Sequence, residues 1–279
     1  MKEPELLREV MNWEKTVDED LPEWERPSGL YLGILGDGNG GYSCSPADSV
    51  TFARTGMDGI HYALLTDFGT MENGEEAPVI CVSPMDFGNC ARLVACNLRE
   101  FFSLTFAGNE LLLLNDFSSR EEYLEAVRRE RQSIADENGD QRERRLRKES
   151  LSKSAIERFG LTTFPDPYEY LQQIRAQRKA RIAVRTMDGI GIMPTQPERN
   201  GMRFESHPWS AKGEIPYHQL DELLSFIGSA ETETLLSFVR DYQAQAIRDA
   251  NSLLLLHDEL EKRGLHPVAK RLLHCMDND

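Results

Sequence analysis

The sequence predicts an α+β fold: a central antiparallel sheet with flanking helices, followed by a mostly helical C-terminal region that carries a β-hairpin. Strand-like runs at Val50–Ala53, Ile60–Thr66 and Val79–Val82 are separated by the short turns Gly56-Met-Asp-Gly and Glu72-Asn-Gly-Glu-Glu. Short connections make neighbouring strands antiparallel. Between Gly41 and Val50 there is no room for the crossover helix that a parallel unit needs. Apolar residues recur at helical spacing on both sides of these runs.

Taken in order, residues 4–20 read as a helix, with Leu6, Leu7, Val10, Met11 and Val17 on one face and Pro4 suited to the first turn. Leu21-Pro-Glu-Trp-Glu-Arg-Pro ends it and exposes or anchors Trp24. The apolar run Leu30–Leu35 then meets a glycine cluster in which Gly36, Gly38 and Gly41 formally match G-x-G-x-x-G. A dinucleotide site requires a helix to begin there. A strand-like run follows instead, so the cluster reads as a glycine-rich turn. Pro84 stops the most apolar strand, and an amphipathic helix is expected over Ala91–Phe102, capped by Asn89, with Leu93, Val94, Leu98, Phe101 and Phe102 inward.

Leu111-Leu-Leu-Leu-Asn closes this part. Ser118 with Glu121, and Ser119 with Glu122, form overlapping capping boxes for a helix that runs toward Arg131. From Gln132 to Lys153 the chain turns polar, as a linker or an exposed helix. Within it, the basic run Arg142–Lys148 reads as a solvated helix face paired with glutamates, because aromatic residues that would stack on bases are missing from it. Asp166-Pro-Tyr-Glu starts another helix. Ile182–Met193 reads as a hairpin turning at Asp188-Gly189, and Met202–Glu205 as a third strand beside it. The resemblance between Arg54-Thr-Gly-Met-Asp-Gly-Ile and Arg185-Thr-Met-Asp-Gly-Ile is explained by shared turn chemistry. The remainder is helical: 217–227, a long pattern over 231–263, and a short helix over 268–276. The apolar run Leu253–Leu256 calls for burial or for an interface, such as a homodimer contact.

Net charge is −15 and unevenly spread, with 7 basic and 19 acidic side chains in residues 1–110 but 16 and 13 in residues 111–185. Overall acidity disfavours non-specific nucleic-acid binding and permits a basic protein partner. No apolar run approaches the roughly 20 residues of a membrane helix, and the N-terminal residues lack the pattern of a signal peptide. Five cysteines (44, 81, 90, 96 and 275) without a Cys-x-x-Cys pair read as free thiols in a reducing cytoplasm. Neither Cys81 with Cys90 nor His266, His274 and Cys275 has metal-ligand spacing, so no metal and no cofactor is expected.

His61 lies near Asp58 and Asp67, but in a strand it faces the side of Ala63 and Leu65, as a partly buried, hydrogen-bonded histidine does. Asp37, Asp58, Asp67 and Asp86 stand in turns, where they stabilise the turn or form a patch for a cation or a basic partner.

The runs Thr55-Gly-Met-Asp-Gly-Ile-His-Tyr, Ala77-Pro-Val-Ile-Cys-Val-Ser-Pro-Met-Asp-Phe-Gly and Leu93-Val-Ala-Cys-Asn-Leu-Arg-Glu-Phe-Phe resemble the SUKH superfamily. This is the Smi/Knr cell-wall-regulator homology group, many of whose bacterial members are immunity proteins. The resemblance spans roughly residues 30–110, about a third of the chain. It implies an α+β fold, no enzymatic activity and a protein-binding role, and it brings no catalytic residues to carry over. Such domains commonly occupy most of a shorter chain, whereas here a long segment follows. The expected division is therefore 1–115 as the SUKH-like domain, 116–153 as a charged helix or linker, and 154–279 as a mainly helical region.

The function expected is non-enzymatic protein binding in the cytoplasm, with an acidic surface masking a basic, toxin-like partner. Asp37, Asp58, His61, Asp67 and Asp86 are its candidate residues. Two alternatives stand beside it: a regulatory scaffold working through the C-terminal helices, and a hydrolase using His61.

Overall fold

The sheet is built by sequential antiparallel pairing, β1-β2-β3-β4-β5, of strands Tyr31–Leu32 (β1), Ser49–Arg54 (β2), His61–Leu65 (β3), Val79–Val82 (β4) and Ala91–Ala95 (β5). The computed structural model describes residues 1–17, 25–34, 41–86, 88–135, 137–211 and 213–274. Trp24, Gly36, Asp37, Gly38 and Cys275 lie outside them. Among the described residues, no helix is long and apolar enough to cross a membrane.

The two faces of the sheet carry different cores. Tyr62, Leu64, Val79 and Cys81 look toward one face, where helices α1 (Glu5–Val17), α2 (Leu98–Phe106) and α5 (Gly139–Phe159) supply Leu7, Phe101, Phe102 and Ala155. Ala63, Leu65, Ile80 and Val82 look toward the other, packed against Leu171 and Ile174 of α6, which is given below. Because the side-chain period of a strand is two, this alternation pins the register. A bulge between Thr51 and Ala53 places both Phe52 and Ala53 on the first face.

Ala91–Ala95 is a strand, not the start of a helix. A short apolar run does not separate the two by periodicity, and pairing with β4 on one side decides it. The helix begins at Leu98, and its cap is Asn97, whose side chain accepts from the Glu100 N–H at 2.9 Å, rather than Asn89. Leu111–Leu114 belongs to a short helix, α3 (Glu110–Leu114).

The polar segment after it is helical almost throughout, as α4 (Arg120–Ala135) and α5. Asn138 and Gln141 form a reciprocal capping box at the start of α5. The basic run on α5 is paired with carboxylates: Arg145 with Glu137 and Glu149, Lys148 with Glu110, and Arg144 with Glu25.

Helix α6 (Pro167–Arg181) starts on Asp166, which accepts from the Glu169 N–H at 3.0 Å. The hairpin that follows is held by a single antiparallel bridge, Val184 to Ile192. Met202–Glu205 forms no strand; its one ladder-like bond runs from the Phe204 N–H to the Ala183 carbonyl at 3.0 Å. Helices α7 (Leu220–Ser229), α8 (Thr232–Ala244), α9 (Ala250–Lys262) and α10 (His266–Leu273) then build a third core. The expected long helix over 231–263 is broken, with Ala246 at φ 52° and Asp249 capping α9 through the Ser252 N–H. The break lets Leu253 and Leu256 turn into the core shared by these helices. Ala47 and Phe68, at the end of the sheet where β2 begins and β3 finishes, belong to the same core.

Buried Glu233, near the start of α8, accepts from the Thr195 hydroxyl at 2.7 Å and pairs with Arg199 at 2.6 Å. Desolvation acts to raise its pKa, but the Thr195 bonds and Arg199 prevail and hold it below the ordinary glutamate range. A carboxylate depressed in this way stabilises the fold in full above its unfolded pKa of about 4.3. That stability is lost as pH falls through the folded value. Glu233→Gln is therefore expected to be about 1.5–3 kcal/mol less stable at pH 7. Urea titrations over a pH series should show this gap between variant and parent beginning to narrow as pH falls below about 4.3.

Candidate partner-binding face

The register His61 to Val82 places the β2–β3 turn (residues 55–60) and the β4–β5 turn (residues 83–90) at the same end of the sheet. Each turn presents a methionine followed by an aspartate. Met57 and Met85 are 64% and 65% exposed, and Asp58 and Asp86 are exposed beside them.

The first turn is clamped by Thr55. Its hydroxyl accepts from the Met57 N–H at 3.2 Å and donates to the Ile60 carbonyl at the far end of the turn, at 3.1 Å. Asp58 sits at φ 50° and Gly59 at φ 70°. A side chain at Gly59 would collide with Tyr42, whose hydroxyl lies 2.4 Å from where a Cβ would stand. Glycine therefore lets Tyr42 lie over the turn and stack on His61, with ring centroids 5.9 Å apart. Tyr42 is itself exposed and adds an aromatic surface to this end.

The second turn closes through the Asp86 N–H to the Ser83 carbonyl (3.1 Å) and the Ser83 N–H to the Cys90 carbonyl (2.7 Å). Arg92, buried beneath, meets the Asp86 carboxylate at 3.3 Å. The Cys90 thiol reaches the Asp86 carbonyl at 3.2 Å, and a hydrogen bond from the Cys44 thiol lowers the Cys90 pKa.

The structure divides the candidate residues. Asp58 and Asp86 are brought together on the exposed face, whereas His61 and Asp67 are interior; Asp37 lies outside the described residues. His61 is 1% exposed. Its Nδ1 lies 2.8 Å from the Gly59 carbonyl, which makes Nδ1 the protonated nitrogen and leaves Nε2 to accept, 3.3 Å from the Ser45 hydroxyl. Ser45 has the relation to His61 that a nucleophile has to its base. Residue spacing in sequence gave no sign of it, because Ser45 precedes the first strand of the pair and reaches His61 only through the fold. Both side chains are sealed, and no substrate reaches an atom with such burial.

Asp67 belongs to a buried charge cluster that the sequence does not reveal. Its carboxylate takes both terminal nitrogens of Arg178, at 2.5 and 3.1 Å. It stands at φ 45° and Phe68 at φ 56°, two successive left-handed residues other than glycine. Nearby, Arg240 bonds both oxygens of Asp48 at 2.6 and 2.7 Å and Asp188 at 3.1 Å. Its guanidinium lies 5.7 Å from the Phe68 ring centre. Gln243 adds two bonds, accepting from the Ala47 N–H and donating to the Ser45 carbonyl. These contacts tie α8 to the loop before β2, about 190 residues apart in sequence. They fix the C-terminal helices to the sheet at the end away from the methionine turns.

Among the described residues, no group of three or more His, Cys, Asp or Glu side chains is placed to hold a metal ion. No family model matches the chain, and no curated protein matches it.

Proposed function

We propose that this chain binds a protein partner through the sheet end formed by the turns at residues 55–60 and 83–90. The carrying observation is the pair of exposed methionines, Met57 and Met85, on turns at the same end of the sheet. Flexible, polarisable methionines adapt to a partner's contours, and interface cores are enriched in them. Tyr42 extends the apolar area at one side. The partner is basic. Supporting this are Asp58 and Asp86 on the face and the excess of 19 acidic over 7 basic side chains in residues 1–110. The resemblance of residues 30–110 to the SUKH superfamily agrees with a binding role of the immunity-protein kind, without catalysis.

The test is a charge reversal. Asp58→Lys with Asp86→Lys is expected to weaken association at least tenfold at low salt, about 1.4 kcal/mol; circular dichroism checks that the variant still folds, since Asp86 also pairs with buried Arg92. Binding of the parent protein should fall as ionic strength rises. A double variant that binds as tightly as the parent, with the same salt dependence, would show that the partner docks elsewhere.

A further inference from the structure

A cavity of about 440 Å³ opens beside the β2–β3 turn, between β1, the start of α3 and the middle of α5. Its walls are mainly apolar, from Leu30, Tyr31, Met57, Leu113 and Leu114. Gly56 matters to its shape, because a Cβ there would stand 2.7 Å from the Tyr31 ring and push that wall aside. Lys148 and Glu110 supply the charged part of the lining and neutralise each other at 2.5 Å.

Tyr62 also lines the cavity. It is 2% exposed and projects from the middle of the sheet, yet its hydroxyl makes no hydrogen bond to any described residue. Burial raises its pKa well above the ordinary tyrosine value, so the group remains a donor at every physiological pH. The ring is buried but the hydroxyl oxygen is not fully enclosed, so it opens onto the cavity, and a buried tyrosine commonly presents its O–H to a partner in this way. The neighbouring Thr105 hydroxyl instead donates to the Phe101 carbonyl at 2.9 Å.

We infer that this cavity is a binding site for a small, neutral, largely apolar molecule carrying a carbonyl-type acceptor that takes the Tyr62 O–H. The volume falls within the roughly 300–1,000 Å³ of small-molecule sites, and an apolar lining with a small number of placed polar groups, here including the Tyr62 hydroxyl, is how such sites orient a ligand. The mutual neutralisation of Lys148 and Glu110 favours an uncharged ligand, since an ion would have to break that pair.

Acetophenone, 1-indanone and benzophenone, each an aromatic body with one carbonyl, are suitable probes on the full chain by saturation-transfer NMR. At least one is expected to bind with Kd below about 1 mM. Tyr62→Phe removes only the hydroxyl, and it is expected to weaken that probe about tenfold while leaving the melting temperature within about 2 °C of the parent. Leu114→Trp, which fills the cavity from a half-buried position, is expected to abolish binding. If none of the three probes binds, or if binding survives Leu114→Trp, the cavity is not the site. Binding that is blocked by Leu114→Trp but unchanged in Tyr62→Phe would overturn the assignment of the donor and with it the ligand class. A clear loss of stability in Tyr62→Phe would show that the hydroxyl already has a partner within the fold.

Discussion

Arg240→Ala is expected to destabilise the protein by about 3–5 kcal/mol, the range for removing one partner of a buried ion pair. The side chain is fully enclosed, and its guanidinium is the counter-charge for both Asp48 and Asp188. Truncation leaves two carboxylates out of water without their bonded cation, a cost that exceeds the loss of the bonds themselves. It also removes the cation beside Phe68, a residue already held at positive φ. The effect should appear as a lower urea midpoint. Arg240→Met combined with Asp48→Leu replaces the Asp48–Arg240 pair with apolar groups and is expected to recover part of the loss, because an apolar replacement also avoids the desolvation of the charges. A single-variant cost below about 1 kcal/mol would mean that the cluster is wet and that α8 is fixed to the sheet by other contacts.

Phe101→Ala is the second large effect, at about 3–5 kcal/mol. Phe101 has no exposed surface and packs edge-on to Phe52 (5.2 Å), against Tyr62 (4.8 Å) and against Phe102 (5.6 Å). Its ring is the meeting point of α2 with two strands, so no single neighbour can move in to fill the space. Phe101→Leu, which restores much of the volume, should cost a smaller share. Urea unfolding of the two variants measures both. Equal and small losses would indicate that the aromatic cluster repacks freely.

Much of this architecture is legible in the sequence because it rests on local signals. The turns Gly56-Met-Asp-Gly and Glu72-Asn-Gly-Glu-Glu lie between paired strands, and Asp166-Pro-Tyr-Glu starts a helix with its cap in place. Legibility fails where a partner element decides. Ala91–Ala95 is apolar enough for either helix or strand, and only β4 beside it selects the strand. The stretch 231–263 keeps a helical period across a break that the Asp249 cap and the packing of α9 against α7 and α10 impose.

The candidate site was legible to a similar depth. Asp58 and Asp86 stand in turns, as their glycine-rich surroundings suggest, but the sharing of one sheet end follows from register alone. Asp67 has the same kind of surroundings, yet it is interior because Arg178, 111 residues away, comes to meet it. No local pattern announces such a pairing. The same holds for Ser45 and His61, and for the bond between Arg240 and Asp48.

The most direct test of the binding face is site-specific photo-crosslinking in the cells that make the protein. A benzophenone amino acid placed at position 57 or 85, or at position 224 as a control, compares exposed sites on different parts of the surface. Crosslinks from 57 and 85 to one basic protein, absent from 224, are the expected result. Equal labelling from all three positions, or a partner captured from 224 alone, would contradict the assignment of the methionine turns as the binding face.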